Sequence, residues 1–244
     1  MLYRDQRSKF RTANLLRMTE NLSRRAVAEA IGAAFLLATV VGSGIMGERL
    51  AGGNAAITLL ANSLATGAAL TALILTFGPI SGAHFNPAVT ISCAAQREMT
   101  WRDAAVYVIA QLFGALAGVA AANLMFGDPV FFISHHARSG GAQLFSEFVA
   151  TLGLLLVIGV CARVQPRFVA FAVGAYITAA YWFTASTSFA NPAVTLAREF
   201  TDTFTGIRPL DVPAFVLVQL CAAAAATFLL RWLMPAPPPG SSDV

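Results

Sequence analysis

Long, mostly uncharged apolar stretches alternate with short polar connections along this chain. Residues 26–47, 59–77, 103–126, 144–162, 168–185 and 213–233 are each close to the ~20 residues that cross a ~30 Å hydrocarbon core as a helix. They predict six transmembrane helices. Two shorter apolar runs do not fit that pattern. Ser81 to Thr90 reads SGAHFNPAVT, and Phe189 to Thr195 repeats its ending as FANPAVT. Asn is a preferred helix N-cap, and Pro is tolerated at the first helical position because its missing N–H would have no partner there. Asn86-Pro87 and Asn191-Pro192 therefore each predict a helix start. The first helix has room only to about Arg97 and the second to about Glu199, roughly ten residues or ~15 Å each. Two such half-helices starting at the midplane and pointing opposite ways would together span a bilayer. The predicted fold is an all-α membrane protein with six transmembrane helices and two re-entrant half-helices.

Composition agrees. Only 11% of the 244 residues are charged and 57% are hydrophobic, with mean hydropathy +0.68; soluble domains carry about 25% charged residues. The net charge of +4 does not point to nucleic acid. It is concentrated in a basic arm over residues 1–25, with Arg4, Arg7, Lys9, Arg11, Arg17, Arg24 and Arg25. That arm reads as an orientation signal, and Phe10, Leu15, Met18 and Leu22 could line a surface helix in it, or the arm could be a mobile tail. It has no apolar core of a cleaved leader, so insertion through the first span is expected. Six spans put both termini on one side, together with the basic turns at 97–102 and 163–167. The positive-inside rule makes that side the cytoplasm, with the protein in the inner (plasma) membrane. The connection 127–142 then faces outward, and the Pro-rich tail 234–244 is expected to be disordered. Cys93, Cys161 and Cys221 lie in apolar helical stretches and read as packing residues, not as a disulfide or metal site. No metal-ligand cluster or nucleophile–base pair is recognisable, so neither an enzyme nor a cofactor is expected. His135-His136 reads as a solvated pair.

The chain also repeats itself. Glu29 opens the first span and Glu147 the fourth; Gln111-Leu112 lies in the third and Gln219-Leu220 in the sixth; the Asn-Pro pairs recur at a similar offset. Three spans per half is an odd number, so the second copy, 143–233, lies upside down relative to the first, 26–126. Inverted repeats with broken helices meeting at the midplane are a transport architecture.

With two Asn-Pro-Ala runs in matching places, SGAH before the first and paired glutamates, residues 26–233 resemble the major intrinsic protein family of aquaporins and aquaglyceroporins. The resemblance implies a homotetramer in the lipid bilayer with one pore per subunit, a passive channel for water or small neutral solutes. The central motifs are then Asn86, Pro87, Ala88 and Asn191, Pro192, Ala193. Each Asn amide oxygen caps its own helix, which leaves the NH₂ donors to face the pore. A passing water accepts from both and cannot donate there, so a proton wire is interrupted. Both helix N-termini add about half a positive charge each.

The backbone of Gly82, Ala83, His84 and Phe85, and of Ser188, Phe189 and Ala190, precedes the half-helices. Non-helical backbone at membrane depth must be buried or line a wet cavity, so these carbonyls are expected to form an acceptor ladder. His84 could contact solute or be satisfied in packing. Glu29 and Glu147 are costly in apolar helices unless paired. They could be proton sites of a proton-coupled secondary transporter, the rival reading; their symmetric placement favours acceptors for the re-entrant loops.

By family spacing the filter falls at Thr66, Tyr181, Ser188 and Val194, with Ala179 the competitor of Tyr181. Most of the family carries arginine where Val194 stands. Its loss predicts a wider, less polar opening. Arg198, one turn on, could reach back and partly replace that charge; the plainer expectation is that it snorkels to the outer interface. The stretch YWFTASTSFANPAVTLAREF resembles bacterial channels associated with arsenic resistance. That implies As(OH)₃, glycerol and methylated arsenicals as candidate solutes.

Overall fold

The computed structural model describes residues 21–234. Residues 1–20 of the basic arm and 235–244 of the tail lie outside the described residues; the last five residues of the arm are not a separate segment, since Asn21 caps α1 and Leu22 to Arg25 form its first turn. The six predicted spans are helices α1 Leu22–Leu50, α2 Ala55–Ser81, α4 Trp101–Met125, α5 Gly141–Val164, α6 Val169–Phe183 and α8 Val212–Leu233. The two half-helices are α3 Pro87–Ala95 and α7 Pro192–Ala197. The spans overrun the apolar cores by a turn or less at most ends, because capping outside the apolar run sets the boundary. Asn54 accepts from the N–H groups of Ala56 and Ile57 at 3.0 and 3.3 Å to start α2. At its other end Gly82, at φ +92°, closes the helix in the left-handed region that favours glycine. Five of the spans are long and apolar enough to cross a membrane. The fifth in order, α6, has 15 helical residues and is extended at its start by a 3₁₀ turn, Pro166–Phe168.

The helices form two bundles that repeat one another. In the first half α1 packs on α2 and on α4; in the second α5 packs on α6 and on α8. Each half-helix then crosses over: α3 touches α4 and α8, α7 touches α8 and α4. The two stubs also meet each other. Small residues set the closest approaches, as expected where lipid supplies no hydrophobic drive between helices. A Cβ added at Gly114 of α4 would lie 2.1 Å from the Ala30 carbonyl of α1, and one at Gly67 of α2 would lie 2.8 Å from the Gly174 carbonyl of α6. Large apolar side chains are turned outward instead. Phe35, Phe113, Phe145 and Phe228 are all more than half exposed, the surface a bilayer would cover.

One end of the bundle collects the ends of α1, α3, α4, α5 and α8. There Arg25 pairs with Asp103 at 3.4 Å and Arg163 with Glu98 at 3.2 Å, and Arg231 donates to the Ala95 carbonyl. The opposite end holds the long connection after α4, which is stitched to the segment after α7. Ser134 N–H donates to the Glu199 carbonyl at 2.8 Å and Arg208 N–H to the His136 carbonyl at 2.9 Å.

Candidate channel and filter

Each re-entrant loop must turn from a span into a half-helix within a few residues. It does so through left-handed backbone at non-glycine positions: Ala83 and Phe85 in the first loop, Thr187, Ser188 and Ala190 in the second, all with φ between 48° and 60°. Such residues cost on the order of 1–3 kcal/mol each and persist only when their surroundings hold them. The two buried glutamates do the holding. Glu29 accepts from the N–H groups of His84 and Phe85 at 3.0 and 2.7 Å, from Ser81 Oγ at 2.6 Å and from Gln111 at 2.8 Å. Glu147 accepts from the N–H groups of Phe189 and Ala190, both at 2.9 Å, and from Gln219 at 2.6 Å. Both are 0% exposed. Their oxygens are taken up by donors that belong to the loops, to the last residue of α2 and to α4 and α8, the arrangement expected of acceptors and not of a shuttling proton site. Gln111 and Gln219 mark the repeat in the sequence, but nothing local reveals that they complete these networks.

Where the stubs meet, Asn86 and Asn191 cap them as expected. The Asn86 amide oxygen accepts from Ala88 N–H at 2.9 Å, and that of Asn191 from Ala193 and Val194 N–H at 3.0 and 3.3 Å. Their NH₂ groups are not wholly free, which corrects the expectation. Asn86 Nδ2 donates to the Ala190 carbonyl and Asn191 Nδ2 to the Phe85 carbonyl, each at 2.8 Å. These reciprocal bonds tie each stub to the opposite loop and leave one N–H per amide for the lumen. They also engage two carbonyls of the expected acceptor ladder. Ala190 is 0% exposed and off the cavity wall; Pro87, Ala88, Pro192 and Ala193 likewise fill the seam between the halves and do not face the lumen.

A cavity of about 620 Å³ enters the bundle from its arginine-rich end and runs past the stubs as far as Arg198. At the arginine-rich end it begins among Arg25, Glu98 and Arg163, passes Gly82, Ala83, His84 and Phe85, then Asn86 and Asn191, and continues to Phe189 and Arg198. Cys93, expected only in packing, is on its wall; Cys161 and Cys221 are not. His84 combines both of its expected situations. Nδ1 lies 3.1 Å from Thr90 Oγ1, the ring meets Tyr107 edge to face at 5.4 Å, and the side chain lines the cavity.

Thr66, Tyr181, Ser188 and Val194 converge on the outer half of this cavity, all 5% exposed or less. The hydroxyls of Thr66 and Tyr181 lie 3.2 Å apart. The competitor Ala179 is exposed on the outside of α6 and is not on the wall. Ser188 Oγ is buried without a protein partner among the described residues.

Arg198 departs from the plainer expectation. It does not snorkel; it is 2% exposed, because the segment 201–208 folds over it and walls it in. Its Nε donates to the Thr205 carbonyl, and its guanidinium carbon lies 3.5 Å from the centre of the Phe189 ring. A second cation was missed altogether. Arg138, in the outer connection, is 7% exposed and 4.9 Å from the same ring. It donates to the carbonyls of Gly206 and Phe204 at 2.7 and 3.1 Å. An arginine in a polar loop reads as solvated, and only the tertiary fold buries it. Burial pushes the Arg138 guanidinium down to about 10, so it stays charged at neutral pH. Both histidines of the pair are exposed; His135 lies 3.0 Å from Asp202, while His136 is pushed below the ordinary histidine range, first by desolvation and then by the charges of Arg138 and Arg198.

The model of the major intrinsic protein family matches residues 16–168. Among similar proteins, aquaglyceroporin AqpS of Rhizobium meliloti (strain 1021) is 54% identical over 214 residues, 88% of this chain and 91% of the relative. Nodulin-26 of Glycine max is 36% identical over 134 residues, 54% of this chain and 48% of the relative. Among solved structures, the aquaglyceroporin from Plasmodium falciparum superposes with a TM-score of 0.63, covering 87% of this chain and 95% of that one, at 20% identity.

Proposed function

The chain belongs to the major intrinsic protein family of small-solute channels, and we propose that it conducts water, glycerol-like polyols, arsenite as As(OH)₃ and methylated arsenicals passively. The observation that carries this reading is one cavity that passes both capping asparagines and reaches Val194, with no charged side chain among Thr66, Tyr181, Ser188 and Val194. The filter is Thr66, Tyr181, Ser188 and Val194. Its Ser188 hydroxyl and the Thr66–Tyr181 pair suit solutes that carry several hydroxyls, and the valine leaves room that an arginine would fill. Asn86 and Asn191 each offer one N–H to a passing oxygen, and two helix N-termini place partial positive charge at the same point. Water there accepts and does not relay a proton.

Residues 26–233 act as one channel unit built of repeats 26–126 and 143–233. It works as a homotetramer, one pore per copy, in the inner membrane with both termini cytoplasmic. The clustering of Arg97, Arg102, Arg163, Arg167 and Arg231 at the end where α1 begins and α8 finishes supports that orientation. The proton-coupled carrier is disfavoured by the occupied oxygens of Glu29 and Glu147. Stopped-flow permeability of proteoliposomes to water, glycerol and arsenite tests the reading. Rates above empty vesicles, linear in solute and indifferent to a pH gradient, are expected; uptake that saturates and follows the gradient would overturn it.

A further inference from the structure

The loss of the filter arginine removes a fixed positive charge from the narrow part of the pore, yet a buried guanidinium stands one helical turn further out. Val194 and Arg198 are four residues apart and both line the cavity. Arg198 is held in place from two sides: its guanidinium carbon stands over the Phe189 ring, 3.5 Å from the ring centre, and the Thr205 carbonyl takes its Nε. Its two terminal nitrogens donate to no protein acceptor among the described residues, and no carboxylate pairs with it there. A buried cation with unused donors on a cavity wall is costly unless something in the cavity is meant to meet it. Arg138 adds a second unpaired cation over the same ring, which makes burial of the first costlier still. The depressed histidine at His136 registers the same positive field.

We propose that Arg198 is the cation barrier of this channel, a filter charge displaced one turn outward that keeps protons and metal cations out while Val194 leaves the narrow ring wide. Its free N–H groups also offer donors to neutral hydroxylated solutes entering from outside. The displacement separates two duties that one arginine at the position of Val194 would combine. Charge stays on the path, but its bulk no longer narrows the ring.

The inference rests on the channel reading, and one set of vesicles tells the two apart. Wild-type proteoliposomes that pass water no faster than empty ones would sink the channel and this proposal together. Given water flow, proton flux is followed with a trapped pH dye under an imposed potential and divided by water flux in the same vesicles. Arg198→Gln is expected to raise that ratio about tenfold, the effect of one unit charge acting through a few ångströms of partly wet protein. Arg198→Lys should hold the wild-type ratio, and Val194→Arg added to Arg198→Gln should restore it. A water-conducting Arg198→Gln channel with the wild-type ratio overturns the proposal. Should that variant not insert, Arg198→Met, which keeps an apolar stem against the Phe189 ring, takes its place, with the same rise of about tenfold expected and an unchanged ratio overturning the proposal.

Discussion

Replacing Glu147 by Gln removes one charge and changes almost nothing in shape, so its cost reports what the carboxylate holds. In the wild type Oε2 takes Ala190 N–H at 2.9 Å and Gln219 at 2.6 Å, and Oε1 takes Phe189 N–H at 2.9 Å. The Gln oxygen can keep the first two. Its NH₂ must then face Phe189 N–H, donor against donor. The loss is one charge-assisted hydrogen bond plus a buried N–H left unpaired, together about 3–5 kcal/mol. That is comparable to the strain stored in one or two of the left-handed residues Thr187, Ser188 and Ala190. The second loop therefore relaxes, and with it the Ser188 hydroxyl and the Phe189 ring that faces Arg198. The thermal midpoint in detergent is expected to fall by about ten degrees, and solute selectivity in proteoliposomes should broaden before water flow is lost. A carrier that used Glu147 for protons predicts the opposite pattern, with unchanged stability and loss of gradient-driven flux alone. A Glu147→Gln protein with the wild-type midpoint would refute the holding role.

Val194→Arg is expected to leave water permeability within about twofold while cutting flux of glycerol and arsenite by tenfold or more, about 1.4 kcal/mol of added barrier, read by stopped flow. Equal flux of the larger solutes in both forms would remove Val194 from the filter. Gly114→Ala drives a Cβ to 2.1 Å from the Ala30 carbonyl, and backbone cannot give way as a side chain can. Spreading of α1 from α4 and a loss of about 1–3 kcal/mol are expected, checked by the thermal midpoint. His136 is neutral-preferring when folded and titrates near 6.5 when unfolded. Between its depressed value and 6.5 the unfolded chain binds the extra proton, so stability present above pH 6.5 is lost as the pH falls through that window. His136→Asn should flatten the acid side of the midpoint-versus-pH curve; an unchanged slope would contradict the depressed titration of that ring.

The alternation of apolar stretches and polar joints settled the number of spans, because a bilayer admits few alternatives to a hydrophobic helix of its own thickness. The two Asn-Pro pairs marked the half-helices, since capping is local chemistry that needs only the next three residues. Glu29 and Glu147 were legible for a related reason, as an acid in an apolar span must have partners even when the sequence does not say which. What the sequence could not supply were contacts between residues far apart along the chain. The bonds from Asn86 to the Ala190 carbonyl and from Asn191 to that of Phe85 exist only because the two stubs meet. Tyr181 over Ala179 was decided by which side of α6 turns inward, and the burial of Arg138 and Arg198 by a loop that folds over them. An arginine is polar at every level of sequence reading. Whether it stands in water or on the wall of a pore depends on what the rest of the chain places above it.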